Sequence, residues 1–165
     1  MIKGTFLCWE NGAGEPAANI RRAVFEQELG WSREENEDGL DEFAMHAIVY
    51  DGNEIAGAGR VAYLDGKYEI ARICVLPQYR RKQYADFLLR MMCDRVFCVG
   101  AQTVWFTLPM RCKGLAENVG FEAAGEIETR HGEAYQPMKL EVSKFHMQCG
   151  HAYCPAAAPT PQDVH

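Results

Sequence analysis

The spacing of apolar residues predicts strands in the first half of the chain and a long helix in the middle. Apolar and polar residues alternate over residues 43–50 and 54–64, and the Asp51-Gly52-Asn53 turn between them predicts a hairpin. The spacing changes to three and four residues over 84–99, which predicts an amphipathic helix ending at Gly100. The apolar stripe of this helix consists of Ala85, Leu88, Leu89, Met92, Val96 and Val99.

Shorter patterns complete the predicted elements. Strands are expected over residues 2–9, 68–75, 103–108, 125–130 and 133–142, and helices over 18–28 and 112–119. Residues 31–40 are mostly polar and predict a loop. The order β-α-β-β-β-α-β-α-β-β predicts an α+β fold, with helices covering the faces of a mixed sheet.

The chain of 165 residues fits one domain, which we place at residues 1–142, followed by a tail at 143–165. The tail is rich in proline and alanine from Pro155 onward, which is typical of disorder. It also contains four residue types that bind zinc: His146, Cys149, His151 and Cys154. Their spacing is not that of a standard zinc finger, so we predict no metal site.

Composition narrows the function classes. Hydrophobic residues make up 48% and charged residues 24%, which excludes a wholly disordered chain. No apolar run reaches the roughly 20 residues of a membrane helix, and no secretory signal is recognisable, so we expect a cytoplasmic protein without a membrane partner. The net charge of −6 argues against a nucleic-acid partner and allows a cationic substrate. The seven cysteines are an odd number and are expected to be free thiols.

A basic triplet precedes the predicted central helix. Arg80, Arg81 and Lys82 lie where the helix N-terminus already carries about half a positive charge. A phosphate group would relieve this repulsion, because free backbone N–H groups and basic side chains converge there. The alternative is a solvated basic patch.

The same segment resembles a known family. Val75-Leu76-Pro77-x-x-Arg80-x-x-Gln83-x-Ala85 is similar to the acetyl-CoA signature of the GNAT acyltransferases, V-x-P-x-x-R-x-x-G-x-G/A. The resemblance extends over residues 18–140. It implies a GNAT-like, mostly antiparallel sheet and acetyl-CoA as cosubstrate. The CoA-binding residues that it implies are Cys74, Val75, Arg80, Arg81, Lys82, Gln83, Tyr84 and Ala85.

Two positions depart from the family pattern. Gln83 replaces the first glycine of the signature, where a missing Cβ lets backbone approach phosphate. Ala116 replaces the tyrosine that in the family protonates the departing thiolate. Tyr84, Cys112 and Tyr135 are the alternative proton donors, and none of them is distinguished by its spacing.

Glu69 is the best candidate for the general base that deprotonates the attacking amine. It opens the strand before the CoA loop, at an offset that resembles the catalytic glutamate of some family members. The alternatives are a surface glutamate on an edge strand and a structural glutamate paired with Arg72 or Arg60. Arg60 and Arg72 are expected either to be structural partners of Asp38 and Asp41 or, as an equal alternative, to contact the substrate. Glu26 and His46 are weaker base candidates, and we expect His46 to be packed.

The N-terminal half resembles both a small bacterial GNAT group and the acyl-homoserine-lactone synthases. The residues that carry this resemblance are Arg22-x-Val24-Phe25, Leu29-Gly30-Trp31, Asp38, Asp41 and Glu69-x-x-Arg72. We favour the first group, which implies transfer of an acetyl group from acetyl-CoA to a primary amine of a small molecule or a protein. The alternatives are a lactone-synthase-like acyltransferase and a non-catalytic acyl-CoA-binding module. A homodimer is left open.

The acidic run over residues 34–42 contains six carboxylates. A solvated loop is the simpler interpretation. The alternative is that part of the run borders the acceptor site and attracts an amine.

Overall fold

The computed structural model of the protein describes residues 2–145 and contains an eight-stranded sheet. The strands are β1 (Lys3–Leu7), β2 (Ala44–Asp51), β3 (Glu54–Leu64), β4 (Lys67–Val75), β5 (Thr103–Pro109), β6 (Glu122–Ala123), β7 (Glu128–Arg130) and β8 (Glu133–Glu141). The sheet order is β1-β2-β3-β4-β5-β8-β6, and β7 pairs with β8. Every pairing is antiparallel except that of β4 with β5. The predicted α+β fold with a mixed, mostly antiparallel sheet is confirmed.

Helices cover both faces of this sheet. They are α1 (Glu15–Arg21), α2 (Arg33–Asn36), α3 (Tyr84–Cys98) and α4 (Lys113–Val119). Short 3₁₀ turns lie at Glu10–Gly12, Asp41–Phe43, Pro77–Tyr79, Met110–Cys112 and Val142–Lys144. Among residues 2–145, none of the helices has both the length and the apolar character needed to cross a membrane.

The larger core lies between α3 and the sheet. Leu88, Leu89 and Met92 are fully buried there and pack in one cluster with Ile70 and Val104. Burying each such side chain contributes about 1.5–3 kcal/mol. The predicted helical stripe is therefore the face that holds α3 on the sheet, apart from Val99, which is exposed after the helix ends.

A smaller core covers the opposite face beside α1. It contains Ala17, Val24 and Phe25 together with Ala58 and Cys74 of the sheet. The predicted helix over 18–28 differs in form, because α1 begins at Glu15 and continues as a π-helix over Arg22–Glu28. π-Helical turns occur frequently at functional sites.

A β-bulge interrupts β4 opposite Gly59. Ala58 pairs with Cys74 and Arg60 with Ala71, so Gly59 faces two residues, Arg72 and Ile73. Arg72 adopts a left-handed conformation with φ 58°. The extra residue reverses the alternation along β4, so that Ile70 belongs to the α3 core and Cys74 to the α1 core.

Two sequence predictions are wrong in detail. Residues 33–36 form α2 rather than loop, because the Glu35 backbone N–H donates to the Ser32 hydroxyl (3.1 Å) and the Ser32 N–H donates to the Glu35 carboxylate (2.7 Å). This capping box is readable as Ser-x-x-Glu in the sequence. The predicted strand over 125–130 is the shorter β7, preceded by β6.

The predicted free thiols are confirmed for the described cysteines, which are Cys8, Cys74, Cys93, Cys98 and Cys112. The zinc-type residues of the tail, His146, Cys149, His151 and Cys154, lie outside the described residues. The division into a domain at 1–142 and a tail at 143–165 stays a prediction.

Candidate active site

A deep cleft opens where β4 and β5 separate. The two strands pair only from Tyr68–Val104 to Ile70–Phe106. Beyond that point β4 continues beside β3, and β5 continues beside β8. The sheet therefore opens between their C-terminal halves, into a cleft of about 1010 Å³. An extended ligand arm can add to such a free strand edge through its amides.

The loop from β4 to α3 forms one end of the cleft and presents backbone N–H groups. Among residues 2–145, the N–H groups of residues 81–86 have no backbone acceptor. The first residues of a 15-residue helix and the turn before it thus offer a row of donors at a positive helix end. This arrangement is suited to a phosphate or pyrophosphate group.

Gln83 stands in the left-handed region, with φ 63° and ψ 17°. Arg81 is also left-handed, with φ 65°. The family signature has a glycine where Gln83 lies, and the structure keeps the glycine-like backbone with a side chain in place. The turn geometry is therefore retained despite the substitution.

The basic triplet is only partly free. Arg80 donates to both carboxylate oxygens of Glu28, at 2.7 Å each, and to the Val75 carbonyl at 3.0 Å. Lys82 donates to Asp51 at 2.8 Å and does not line the cleft. Arg81 lines the cleft and has no side-chain partner among the described residues. Glu28 and Asp51 therefore neutralise Arg80 and Lys82, which the local sequence did not indicate.

The other CoA-loop candidates lie together. Cys74, Val75, Gln83, Tyr84 and Ala85 all line the cleft. Burial raises the pKa of the Cys74 thiol to about 12, so that thiol stays neutral and packs beside α1. Only the backbone of Cys74 is therefore available to a ligand.

Glu69 lies on β4 beside Trp105 of β5, at the last pairs before the two strands separate. Its side chain is half-buried and makes no hydrogen bond or ion pair among the described residues. It lines the large cleft and also a second pocket of about 590 Å³. The structural alternative is not observed, since Arg60 and Arg72 pair elsewhere.

Three cleft residues carry a proton that a leaving thiolate could take. Tyr84, Cys112 and Tyr135 all line the cleft, whereas Ala116 is fully buried in the α3 core. Burial, followed by the Asp51 carboxylate, raises the pKa of Tyr84, whose hydroxyl hydrogen-bonds to Asp51. Burial also raises the pKa of Tyr135. Tyr135 and Cys112 are thus the donors that remain uncommitted.

A buried charge cluster forms the other end of the cleft. Arg60 donates to both oxygens of Asp38, at 2.7 Å each, and to Asp41 at 2.9 Å. Arg72 donates to Asp38 at 3.1 Å, and Arg21 pairs with Asp41. Burial opposes ionisation of Asp38, but the hydrogen bonds and charge of Arg60, together with the charge of Arg72, outweigh it and lower the pKa of Asp38 to about 2. The expected pairing of both arginines with these aspartates is present.

The acidic run contributes little to the cleft. Of its six carboxylates only Asp38 lines the cleft in the described chain, and Asp41 is buried behind it. Glu37 pairs with Arg22 and Arg33. The idea of an acidic rim that attracts an amine is therefore not supported by this geometry.

The tip of the β7–β8 hairpin closes one side of the cleft, which the sequence patterns did not indicate. His131 stacks on Trp31, with ring centroids 3.7 Å apart, and its Nδ1 lies 3.2 Å from a Glu35 oxygen. Arg72 lies over the Trp31 ring at 5.3 Å. These residues are distant in sequence and carry no shared motif, so only the folded chain brings them together.

His46 and Glu26 lie outside the cleft. His46 is fully buried against Trp9, and its Nε2 lies 3.0 Å from the Asp41 carbonyl oxygen. Burial lowers the pKa of His46, so the ring is neutral near pH 7. Glu26 accepts a hydrogen bond from Asn36 at 2.8 Å. Both residues therefore hold the fold together, as expected for His46.

Comparisons with known proteins agree with this geometry. Residues 13–121 match the model of the acetyltransferase (GNAT) family. The uncharacterized N-acetyltransferase YjcF of Bacillus subtilis (strain 168) is 34% identical over 73 residues, which cover 44% of this chain and about half, 52%, of that relative.

Solved structures share the fold at low sequence identity. Escherichia coli ElaA superposes with a TM-score of 0.75 at 18% identity, covering 86% of this chain and 100% of that one. The spermidine N-acetyltransferase of Vibrio cholerae, in complex with CoA and spermine, superposes with a TM-score of 0.61 at 18% identity, covering 86% of this chain and 96% of that one.

The fold and the family match place this protein among the acyltransferases that take their acyl group from acyl-CoA. The chain belongs to the GNAT family and is an acyltransferase.

Proposed function

We propose that the protein transfers an acetyl group from acetyl-CoA to a primary amine by direct attack within a ternary complex. The observation that carries the proposal is the position of Glu69. This carboxyl, unpaired within the described residues, lies where β4 and β5 separate, in the same cleft as the loop before α3 with its N–H groups.

In this proposal CoA extends along the cleft. The pyrophosphate binds the N–H groups of residues 81–86, and the pantetheine arm pairs with the open edge of β4 near Val75. Arg81 meets the phosphates first, since its side chain has no partner within residues 2–145. Arg80 joins them by exchanging Glu28 for phosphate. Lys82 acts only through its charge, because it lies outside the cleft.

The chemical step then needs one base and one acid. Glu69 takes a proton from the ammonium group, and the amine nitrogen attacks the thioester carbonyl carbon. The C–N bond forms, the C–S bond breaks, and the thiolate leaves with the electron pair. Tyr135, Cys112 or solvent gives a proton to the sulfur. The nitrogen loses its second proton as the tetrahedral intermediate collapses, and that proton replaces the one given to the sulfur, while the proton on Glu69 is released to solvent. The products are the amide and free CoA.

The experiment is an amine panel with acetyl-CoA, in which amide formation is followed by mass spectrometry and CoA release by a thiol reagent. Glu69→Gln should lower kcat about 10²–10⁴-fold with little change in the KM for acetyl-CoA, because the amide keeps the size but takes no proton. The loss should shrink at high pH, where more of the amine is already neutral.

Glu54→Gln is the matched control, since Glu54 is a strand carboxylate outside the cleft. Wild-type kcat in Glu69→Gln would contradict the base assignment. Binding of acetyl-CoA without any amide product would instead favour a non-catalytic module. Product formed only with an acylated carrier protein and S-adenosylmethionine would favour the lactone-synthase alternative.

A further inference from the structure

The charge cluster at the far end of the cleft carries one more cation than anions. Its charged members are Arg21, Arg60, Arg72, Asp38 and Asp41, which make three guanidinium groups and two carboxylates. Two other arginines that line the cleft are paired with carboxylates, Arg130 with Glu128 at 2.7 Å and Arg111 with Glu133 at 3.1 Å. A buried cluster with excess charge favours a ligand of the opposite sign.

Two donors in this cluster have no acceptor in the part of the chain that the structure describes. The Nε–H of Arg60 is buried and makes no hydrogen bond. The Arg60 side chain is only 2% exposed and lines the cleft. The Nη1 group of Arg72 has no acceptor among the described residues, whereas its Nε donates to the Asn36 carbonyl and its Nη2 to the Glu35 carbonyl and to Asp38. The Arg72 side chain is 16% exposed, so its Nη1 group is accessible from the cleft. The Nε–H of Arg60 is buried, and buried donors are rarely left unpaired in a complete site.

The excess positive charge of the cluster contributes to a lowered pKa of Arg72. Burial, followed by repulsion from Arg60, lowers the pKa of Arg72 to about 10. Arg72 remains protonated at neutral pH, but its charge is incompletely compensated. Trp31 and Asp38 hold its guanidinium in place at the wall of the cleft.

Arg72 and Glu69 lie on the same strand, three residues and about 10 Å of backbone apart. Both side chains line the cleft. An acceptor in the cleft therefore has a carboxylate and a guanidinium in the same cavity.

We infer that the Arg72 end of the cleft binds a carboxylate on the acceptor, so that the acceptor is a small amino acid whose amine faces Glu69. This inference rests on the proposed N-acetyltransferase function and names its substrate class. The bidentate geometry of guanidinium with carboxylate supplies the recognition. The carboxylate supplies the missing anion of the cluster.

The test compares each of the twenty common amino acids with its own carboxamide and with the amine that lacks the acid group, using acetyl-CoA as donor. For each amino acid that is acetylated, kcat/KM should be at least tenfold higher for the free acid than for its carboxamide. Arg72→Met should remove that difference, and Arg72→Lys should keep part of it. Arg130→Met is the matched control and should leave the ratio of acid to amide unchanged.

A second measurement does not depend on turnover or on the folding of a variant. With CoA bound, thermal stabilisation of the wild-type protein by the same acids and amides reports the subsite directly. Acetylation of amines with no preference for the acid overturns the carboxylate subsite and leaves the proposed function intact. Stabilisation by acids alone without any acetylation supports the subsite and overturns the function. If no amino acid stabilises the protein and none is acetylated, both the carboxylate subsite and the proposed function are overturned.

Discussion

At the scale of single residues, Gln83 has a backbone conformation that glycine adopts without strain. A left-handed conformation costs an L-residue about 1–2 kcal/mol, and the extra freedom of glycine in the unfolded chain offsets part of the gain from replacing it. We therefore expect Gln83→Gly to leave the free energy of unfolding unchanged or to raise it by up to about 1 kcal/mol. It should also tighten CoA binding, since backbone can then approach the phosphates more closely.

The matched control for Gln83→Gly is Gln78→Gly in the same loop, where φ is not positive. Chemical denaturation should show Gln78→Gly to be destabilising by about 0.5–1 kcal/mol. Equal destabilisation by both glycines would show that the Gln83 conformation carries no strain.

His46 makes stability depend on pH in a defined direction. Its pKa is lowered in the folded state, so below pH 6.5 the unfolded chain binds the proton more readily. Stability is therefore complete above pH 6.5 and falls as the pH decreases, by up to about 1.4 kcal/mol per pH unit. Urea unfolding between pH 7.5 and 5 should show this slope.

His46→Gln should flatten that slope, because the amide can still donate to the Asp41 carbonyl but does not titrate in this range. His131→Gln is the control, since His131 lies at a hairpin tip and not in the core. If the slope remains in His46→Gln and disappears in His131→Gln, the pH dependence comes from His131, and the prediction for His46 is wrong.

At the scale of elements, the loop before α3 unites the helix end with the basic triplet. We expect the triple variant Arg80→Ala, Arg81→Ala, Lys82→Ala to weaken CoA binding at least tenfold. The free energy of unfolding without ligand should change by no more than about 1 kcal/mol, because the two ion pairs are exposed and such pairs contribute little. Calorimetric titration and urea unfolding measure the two effects separately.

The matched control removes three exposed, ion-paired lysines elsewhere, Lys113, Lys139 and Lys144. It alters net charge equally and should leave CoA binding nearly unchanged. Glu28→Gln tests the same element in the opposite direction, since it frees Arg80 and should tighten CoA binding. Strong destabilisation of the ligand-free triple variant would show that the triplet is mainly structural.

At the scale of the whole molecule, the cleft joins two helices, two strand ends and a hairpin tip, so a ligand that fills it should stabilise the entire fold. Binding to the folded state alone adds about 2.7 kcal/mol at a hundredfold excess over Kd. For a chain of this size that corresponds to a rise in Tm of about 5–10 °C. Acetyl-CoA and CoA should give this rise, and dephospho-CoA and pantetheine less. An unchanged Tm at millimolar acetyl-CoA would contradict the assignment of the cleft to CoA.

The sequence alone determined the elements whose formation depends on interactions within a short segment. We could predict the apolar stripe of α3, the β2–β3 hairpin and the CoA-loop signature from the sequence. Each depends on a property of a short segment, namely the helix period, the turn residues or the charge at a helix end. Glu69 was found by its offset from the loop, and the structure places it where the strands part. The capping box at Ser32 was equally local and was overlooked.

The tertiary structure decided whatever depends on distant segments meeting. The partners of Arg80 and Lys82, the contact between Trp31 and His131, and the excess charge around Arg72 each join residues far apart in the sequence. Ion pairs and ring stacking act over a few ångströms, and no periodicity or spacing along the chain encodes which side chains will come that close. The class of enzyme could therefore be predicted from the sequence, whereas the shape and charge of the proposed acceptor site came from the fold.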